Sequence, residues 1–249
     1  MIAAICACLS PDDILRKSPL LADCARRACM AVRDTLPAAQ HIAIADTPDV
    51  ADMLAAHGMD AHIAIPSPEA PGFLPPGGHE ALRLATGQDI LVTDLRSPRL
   101  DAAHVALALE RFAAMADEAD MLVSATQPED HPCQGFTARM ADGSPALAPR
   151  GQGGFGFDIR RHHVPQGAPW REDAATGLVL NAETGEVVAG RQQFPTIHAP
   201  DGALVIIRAS AVERAMAAPH TLRVAVIEFP RACRPLRTRL DLVRLRLGL

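Results

Sequence analysis

Tyrosine is absent from the 249-residue chain, tryptophan occurs once, and aromatic residues make up only 3% of it. The core must therefore be built from Ala, Val, Leu and Ile, and platforms on which nucleobases could stack are scarce. A formal charge of -5 argues against general nucleic-acid binding, although the last twenty residues are locally basic. No apolar run approaches the roughly 20 residues of a membrane span, so no membrane partner is expected. The opening MIAAICACLSPDD lacks the basic stretch of a signal peptide, and a cytoplasmic location is the expectation. The cysteines at 6, 8, 24, 29, 133 and 233 form no CxxC pair and have no His at zinc-site spacing. Reduced, buried thiols follow, with Cys6 and Cys8 on one face of a strand because side chains alternate with period two.

What is present is a regular alternation. Residues 1–8 form an apolar run of strand length, stopped by Ser10-Pro11-Asp12-Asp13. Ser18-Pro19 offers an N-cap and a first helical proline for a helix over 20–36. Strands follow at 41–46, 61–65, 89–94 and 121–126, separated by a helix opened by Thr47-Pro48, a short one over 80–85, and one begun by Asp101. In that last helix Val105, Leu109, Phe112 and Ala116 fall on one face. Alternation of this kind predicts an α/β fold: an open, mostly parallel sheet with helices on both faces. The whole of 1–249 is read as a single domain. It carries a small β-rich excursion over 127–191, where Pro, Gly, His and Arg become frequent and where 136–140 and 178–189 are hairpin candidates. Residues 203–208 rejoin the sheet, Ser210 caps a short helix, 222–229 is a strand, and 236–247 is a basic amphipathic helix.

Ligands of open α/β sheets bind at the carboxyl ends of the strands. That brings forward the loops over 9–17 and 94–101 and the approach to the late strand over 192–202. Two other patterns fail on context. Gly151-Gln152-Gly153-Gly154-Phe155-Gly156 fits GxGxxG, but prolines precede it and no helix follows. His162, His163 and His198 lack the Cys or carboxylate that would complete a metal set.

Four separated stretches, in order, resemble the acylneuraminate cytidylyltransferases, which make CMP-sialic acid. Arg191-Gln192-Gln193 and the later Asp201-Gly202-Ala203 in GRQQFPTIHAPDGALVII are similar to the family's RQQLP and NGAIYI. MLVSATQPEDHP (121–132) resembles SVVSACPMEHHP, Ser97-Pro98 matches the Ser-Pro of LLQPTSPLRT, and Thr238, Leu240, Asp241 and Leu242 match the end of IDIDTELDL. The resemblance implies a nucleotide-diphospho-sugar transferase type of fold, CTP and an acidic sugar as partners, Mg²⁺ as cofactor, and a homodimer formed through the excursion. It implies Asp94 as a catalytic and metal-holding residue, Arg191 as a catalytic residue, and Ser10, Arg16 and Lys17 at the nucleotide. Arg191, Gln192, Gln193 and Asp201 would hold the sugar.

The chain departs from that pattern where phosphates and metal would be held. The family's RxxSKG loop is here acidic and without glycine, and its two IDID aspartates fall on Pro235 and Arg237. Two functional expectations follow: transfer of CMP from CTP to an acidic sugar, or a non-catalytic relative that binds a sugar or a protein.

Overall fold

In the computed structural model of the chain the described residues are 1–65, 73–85, 87–116, 118–126, 136–139, 145–148, 170–172, 179–181, 185 and 199–248. Strand β1 (Ile2–Ala7) is buried along its whole length, as expected for a run with apolar side chains at both parities. Its Ala3, Ile5 and Ala7 join one apolar cluster, and Ile2, Ala4, Cys6 and Cys8 join another across the sheet. Helices α1 (Leu21–Thr35), α2 (Pro48–Ala55) and α4 (Ala102–Ala114) cover the first face. Helices α3 (Gly78–Leu84) and α5 (Val212–Ala217) cover the second. In α1, Cys24, Ala28 and Val32 are buried at a spacing of four, which puts one stripe on the sheet and leaves Arg26 and Arg27 in solvent.

The remaining sheet strands are β2 (Gln40–Ala45), β3 (Asp60–Ile63), β4 (Ile90–Asp94), β5 (Met121–Thr126), β10 (Ala199–Ile207) and β11 (Val224–Glu228), and their order is β11-β5-β10-β4-β1-β2-β3. β1 pairs in parallel with β2 and β4, β2 with β3, and β5 with β11. β10 runs antiparallel to β4. The sheet is thus mostly parallel, with one strand reversed near its centre. The chain leaves β1 toward β2 and β3 and later returns to the opposite side as β4, so the order reverses between β1 and β4.

Two compact units result, 1–126 together with 200–249, and 127–199. In the second, β6 (Phe136–Arg139) pairs antiparallel with β7 (Pro145–Ala148), and β8 (Trp170–Glu172) with β9 (Val179–Asn181). The expected strands near 136 and 179 are present, but each takes a partner from a stretch not read as a strand.

Other boundaries also differ. Ser18 does not cap α1: its hydroxyl accepts from the Leu20 amide at 3.2 Å in a local turn, and the helix begins at Leu21. Helix α4 stops at Ala114, so Ala116 lies beyond its apolar face. Ser210 sits in a 3-10 turn (Ala209–Ala211) ahead of α5 rather than capping it. The last helix, α6 (Arg239–Leu247), starts three residues later than expected, because Leu236 is held by its amide to the Arg96 carbonyl at 2.7 Å. Thr238 and Asp241 then form a capping box, which is the structural role of Asp241. Among the described residues no helix is long and apolar enough to cross a membrane.

The cysteine expectation holds at Cys6, Cys8, Cys24, Cys29 and Cys233, all free and buried; Cys133 lies outside the described residues. Burial pushes the Cys8 thiol up to about 12 and those of Cys24, Cys29 and Cys233 up to about 11, so none is a ready nucleophile.

Candidate functional site at the carboxyl ends of the strands

The strand order reverses between β1 and β4, and the carboxyl ends of the strands at such a reversal are the place where ligands of open α/β sheets are held. At those ends lies an ionic arrangement that the strands fix. Asp94, the last residue of β4, is 3% exposed. Its Oδ1 accepts from the Arg96 amide at 2.8 Å, and its Oδ2 accepts from Arg96 Nη2 at 2.6 Å. Arg96 Nε lies 3.1 Å from both oxygens, completing a two-pronged pair within one turn of chain. Arg96 Nη1 reaches Asp13 of the β1 loop at a looser 3.6 Å. Burial alone would drain charge from the Arg96 guanidinium. The Asp94 carboxylate, with its hydrogen bonds, and Asp13 overcome this and hold its pKa above the ordinary arginine value.

Of the nucleotide-side candidates, Ser10 is exposed at the start of the β1 loop, where its carbonyl accepts from the Asp13 amide at 2.9 Å. Arg16 is half-buried and donates to the Leu9 carbonyl at 2.6 Å and to Asp46 Oδ2 at 3.0 Å, which ties the β1 loop to the end of β2. Lys17 is exposed beside it. Gly77 also closes on this edge. Its φ is +89°, and a Cβ there would lie 2.7 Å from Cys8 Sγ, so only glycine lets the chain ahead of α3 approach the end of β1.

Asp201 is 6% exposed. Its Oδ1 accepts from the Ser124 hydroxyl and from the Ala203 amide at 3.0 Å, while Ser124 Oγ accepts from the Leu204 amide at 2.8 Å. Asp201 therefore ties β5 to β10 through that oxygen. Arg237 donates to the Asp201 carbonyl at 3.3 Å, so the position that carries an aspartate in the family braces the same junction here. Arg191, Gln192, Gln193, Asp130, His131, His162, His163, His198 and the GxGxxG stretch lie outside the described residues.

Sequence reasoning missed Asp13, Arg96, Asp46 and Arg234 as site residues. Their chemistry is visible only once the loops are stacked, since Asp13 and Arg96 are 83 positions apart. What marks this edge most clearly is a set of unmet polar atoms. Asp46 Oδ1 beyond β2, Ser97 Oγ beyond β4 and Arg234 Nε beyond β11 are buried without a hydrogen-bond partner. Arg234 donates through its Nη2 to Thr126 Oγ1 at the end of β5, which places that third atom on the same side of the sheet. Buried polar groups are nearly always satisfied by protein or by ordered water, so these three are positions that solvent or a polar ligand would meet.

The Mg²⁺ that the resemblance implies does not fit the described residues. Both Asp94 oxygens are engaged by Arg96, Pro235 and Arg237 supply no carboxylate, and no group of three or more His, Cys, Asp or Glu is arranged to hold a metal among the described residues.

No family model matches the chain, and no curated protein matches it. It is similar in structure to 4-diphosphocytidyl-2C-methyl-D-erythritol synthase from Anaerococcus prevotii, with a TM-score of 0.53, 10% identity, and coverage of 100% of this chain and 99% of that one. It is also similar to the bifunctional IspDF from Campylobacter jejuni, with a TM-score of 0.50, 12% identity and 98% of this chain matched; the chain spans 53% of that protein. Neither is named for sialic acid, so the sialic acid subtype of the resemblance gains no support. At these identities the likeness is one of fold, and the fold is the mostly parallel sheet of the nucleotide-diphospho-sugar transferase type.

Proposed function

We propose that the chain is a nucleotidyltransferase-like protein that takes CTP at the carboxyl ends of β1, β4 and β5 and transfers CMP to an acidic or phosphorylated sugar. In that reaction a hydroxyl or phosphate oxygen of the sugar bonds to the α-phosphorus of CTP, the bond from that phosphorus to the bridging oxygen breaks, pyrophosphate leaves, and the proton of an attacking hydroxyl passes to solvent. The observation that carries the reading is that buried, unpartnered polar atoms of Asp46, Ser97 and Arg234 are spread along the carboxyl-end side of the sheet, two of them following β2 and β4, which flank β1. Polar ligand atoms would satisfy them.

Anion recognition falls to Arg16, Lys17 and Arg96, with Ser10 at the loop entrance. An incoming phosphate oxygen displaces Asp13 from Arg96, since that contact, at 3.6 Å, is the looser of the two, while Asp94 stays in place at 2.6 Å. Arg191, Gln192 and Gln193 would take the sugar's acid group, and the 127–191 stretch would join two copies, which a monomer in sedimentation would refute. The solved neighbours' names, a diphosphocytidyl sugar-alcohol synthase among them, support cytidine as the base.

A second reading is favoured by the closed Asp94–Arg96 pair together with Pro235 and Arg237: a relative that binds the same ligands without turnover. Calorimetry with CTP, with and without Mg²⁺, and pyrophosphate release in the presence of acidic sugars and sugar phosphates decide between them. CTP binding with pyrophosphate release supports transfer. Binding without release supports the second reading. Absence of CTP binding overturns the nucleotide assignment altogether.

A further inference from the structure

The fourth buried polar atom without a partner, His41 Nε2, lies at the other end of the sheet. His41 pairs with Ala3 at the start of β2, while Asp46 follows its end; five residues of strand put about 17 Å between them. A cavity of about 370 Å³ opens there, lined by Cys29, Met30, Arg33, Asp34, His41 and His57, with Pro37 and Gly58 at its turns. That volume is near the lower end of the roughly 300–1,000 Å³ of small-molecule sites.

The charged groups of this cavity, Arg33 and Asp34, are both exposed, and Arg33 is the one held in place by a hydrogen bond. Arg33 Nη1 donates to the His57 carbonyl at 2.6 Å, and no carboxylate of the described residues pairs with the guanidinium. Gly58 makes this possible: its φ is +80°, and a Cβ there would lie 2.8 Å from Arg33 Nη1. Arg33 is thus held by backbone against a glycine, with its other nitrogens left to a ligand. Asp34, next in the chain and exposed, supplies one negative charge with no cationic partner among the described residues. Met30, 48% exposed, and Pro37 supply an apolar wall. One cation, one anion, one orphaned imidazole nitrogen and a short apolar surface complement a small molecule that carries a carboxylate, an ammonium group and an apolar side chain.

We propose that this cavity binds a free amino acid, its carboxylate on Arg33, its ammonium on Asp34 and a polar contact on His41 Nε2. The site stands apart from the carboxyl-end site and does not depend on the function assigned there.

The test is calorimetry and saturation-transfer NMR of the full chain against each of the twenty amino acids, with acetate and ethylamine as half-ligands. At least one amino acid should bind saturably and at least about tenfold tighter than either half-ligand, the loss expected for one charge-assisted contact. Arg33→Met and Asp34→Asn should each weaken it by about tenfold, because each removes one such contact. Arg27→Met on the exposed face of the same helix should leave it unchanged, and the His41 imidazole resonances should shift on saturation. The proposal is overturned if none of the twenty binds, if acetate or ethylamine binds as tightly, if binding survives Arg33→Met, or if Arg27→Met weakens it equally.

Discussion

Replacing Arg96 by Met keeps the aliphatic stem and the backbone amide but removes the guanidinium from Asp94. The Asp94 side chain is 3% exposed and that of Arg96 21%, so the carboxylate is left buried with only the Arg96 amide at 2.8 Å to stabilise it. Removing one partner of a buried pair typically costs 3–5 kcal/mol, and the retained amide and partial access to water place this case near about 3 kcal/mol. For a chain of this length each kcal/mol moves the midpoint by about 2–4 °C, so thermal unfolding should occur about 6–12 °C lower. Urea unfolding followed by circular dichroism at pH 7 measures the loss directly. The double variant Asp94→Asn/Arg96→Met removes the orphaned charge and should recover at least about half of it, since contacting residues are not additive. A single-variant loss below about 1 kcal/mol, or additivity in the double variant, would show that Asp94 is not committed to Arg96 and would return it to the pool of candidate metal ligands.

Asp13→Asn removes a negative charge from the carboxyl-end site while keeping the Oδ1 acceptor for the Leu15 amide at 2.9 Å. CTP affinity by calorimetry should rise about threefold to tenfold at low ionic strength, and the gain should shrink with added salt. The Asp120 carboxylate is held well below the ordinary range by hydrogen bonds from the Arg223 side chain and amide and from Arg214. With the folded value depressed, its stabilisation is fully present above the unfolded value near pH 4 and is lost as pH falls toward the folded one. Both arginines are substantially exposed, so Asp120→Asn should cost only about 1 kcal/mol at pH 7, with a smaller difference from the native protein in melts at pH 2–3. Gly77→Ala forces a Cβ to within 2.7 Å of Cys8 Sγ at a positive φ and should cost about 2–3 kcal/mol in urea unfolding; a neutral result would refute the close approach.

The β1 run, the α4 face carrying Val105 and Phe112 and the Asp101 cap were legible because each is a local pattern: apolar periodicity meets a sheet, and a carboxylate meets the free amides of a helix start. Asp101 Oδ1 accepts from the His104 amide at 3.1 Å as that pattern requires. The Ser18-Pro19 start failed by contrast, since a short hydroxyl can satisfy its own turn as readily as a helix. The alternation of strands and helices pointed to the carboxyl ends of the strands, but not to the pairings found among the side chains there. Asp94 has the sequence signature of an available strand-end carboxylate, and only folding shows that Arg96 turns back on it. Asp201 likewise reads as a loop residue ahead of a glycine, whereas in the fold it is buried against Ser124, 77 positions away.

By itself the sequence determined the α/β class and the burial of the described cysteines. These follow from the period and polarity of neighbouring residues, which are properties of short stretches of chain. Only the tertiary structure decided that β10 runs antiparallel to β4 and lies between β4 and β5, that Arg96 is shared by Asp94 and Asp13, and that buried polar atoms of Asp46, Ser97, Arg234 and His41 find no protein partner. Those depend on which distant loops meet and on how much water they exclude when they do. Pairings of that range leave no trace in the local order of residues.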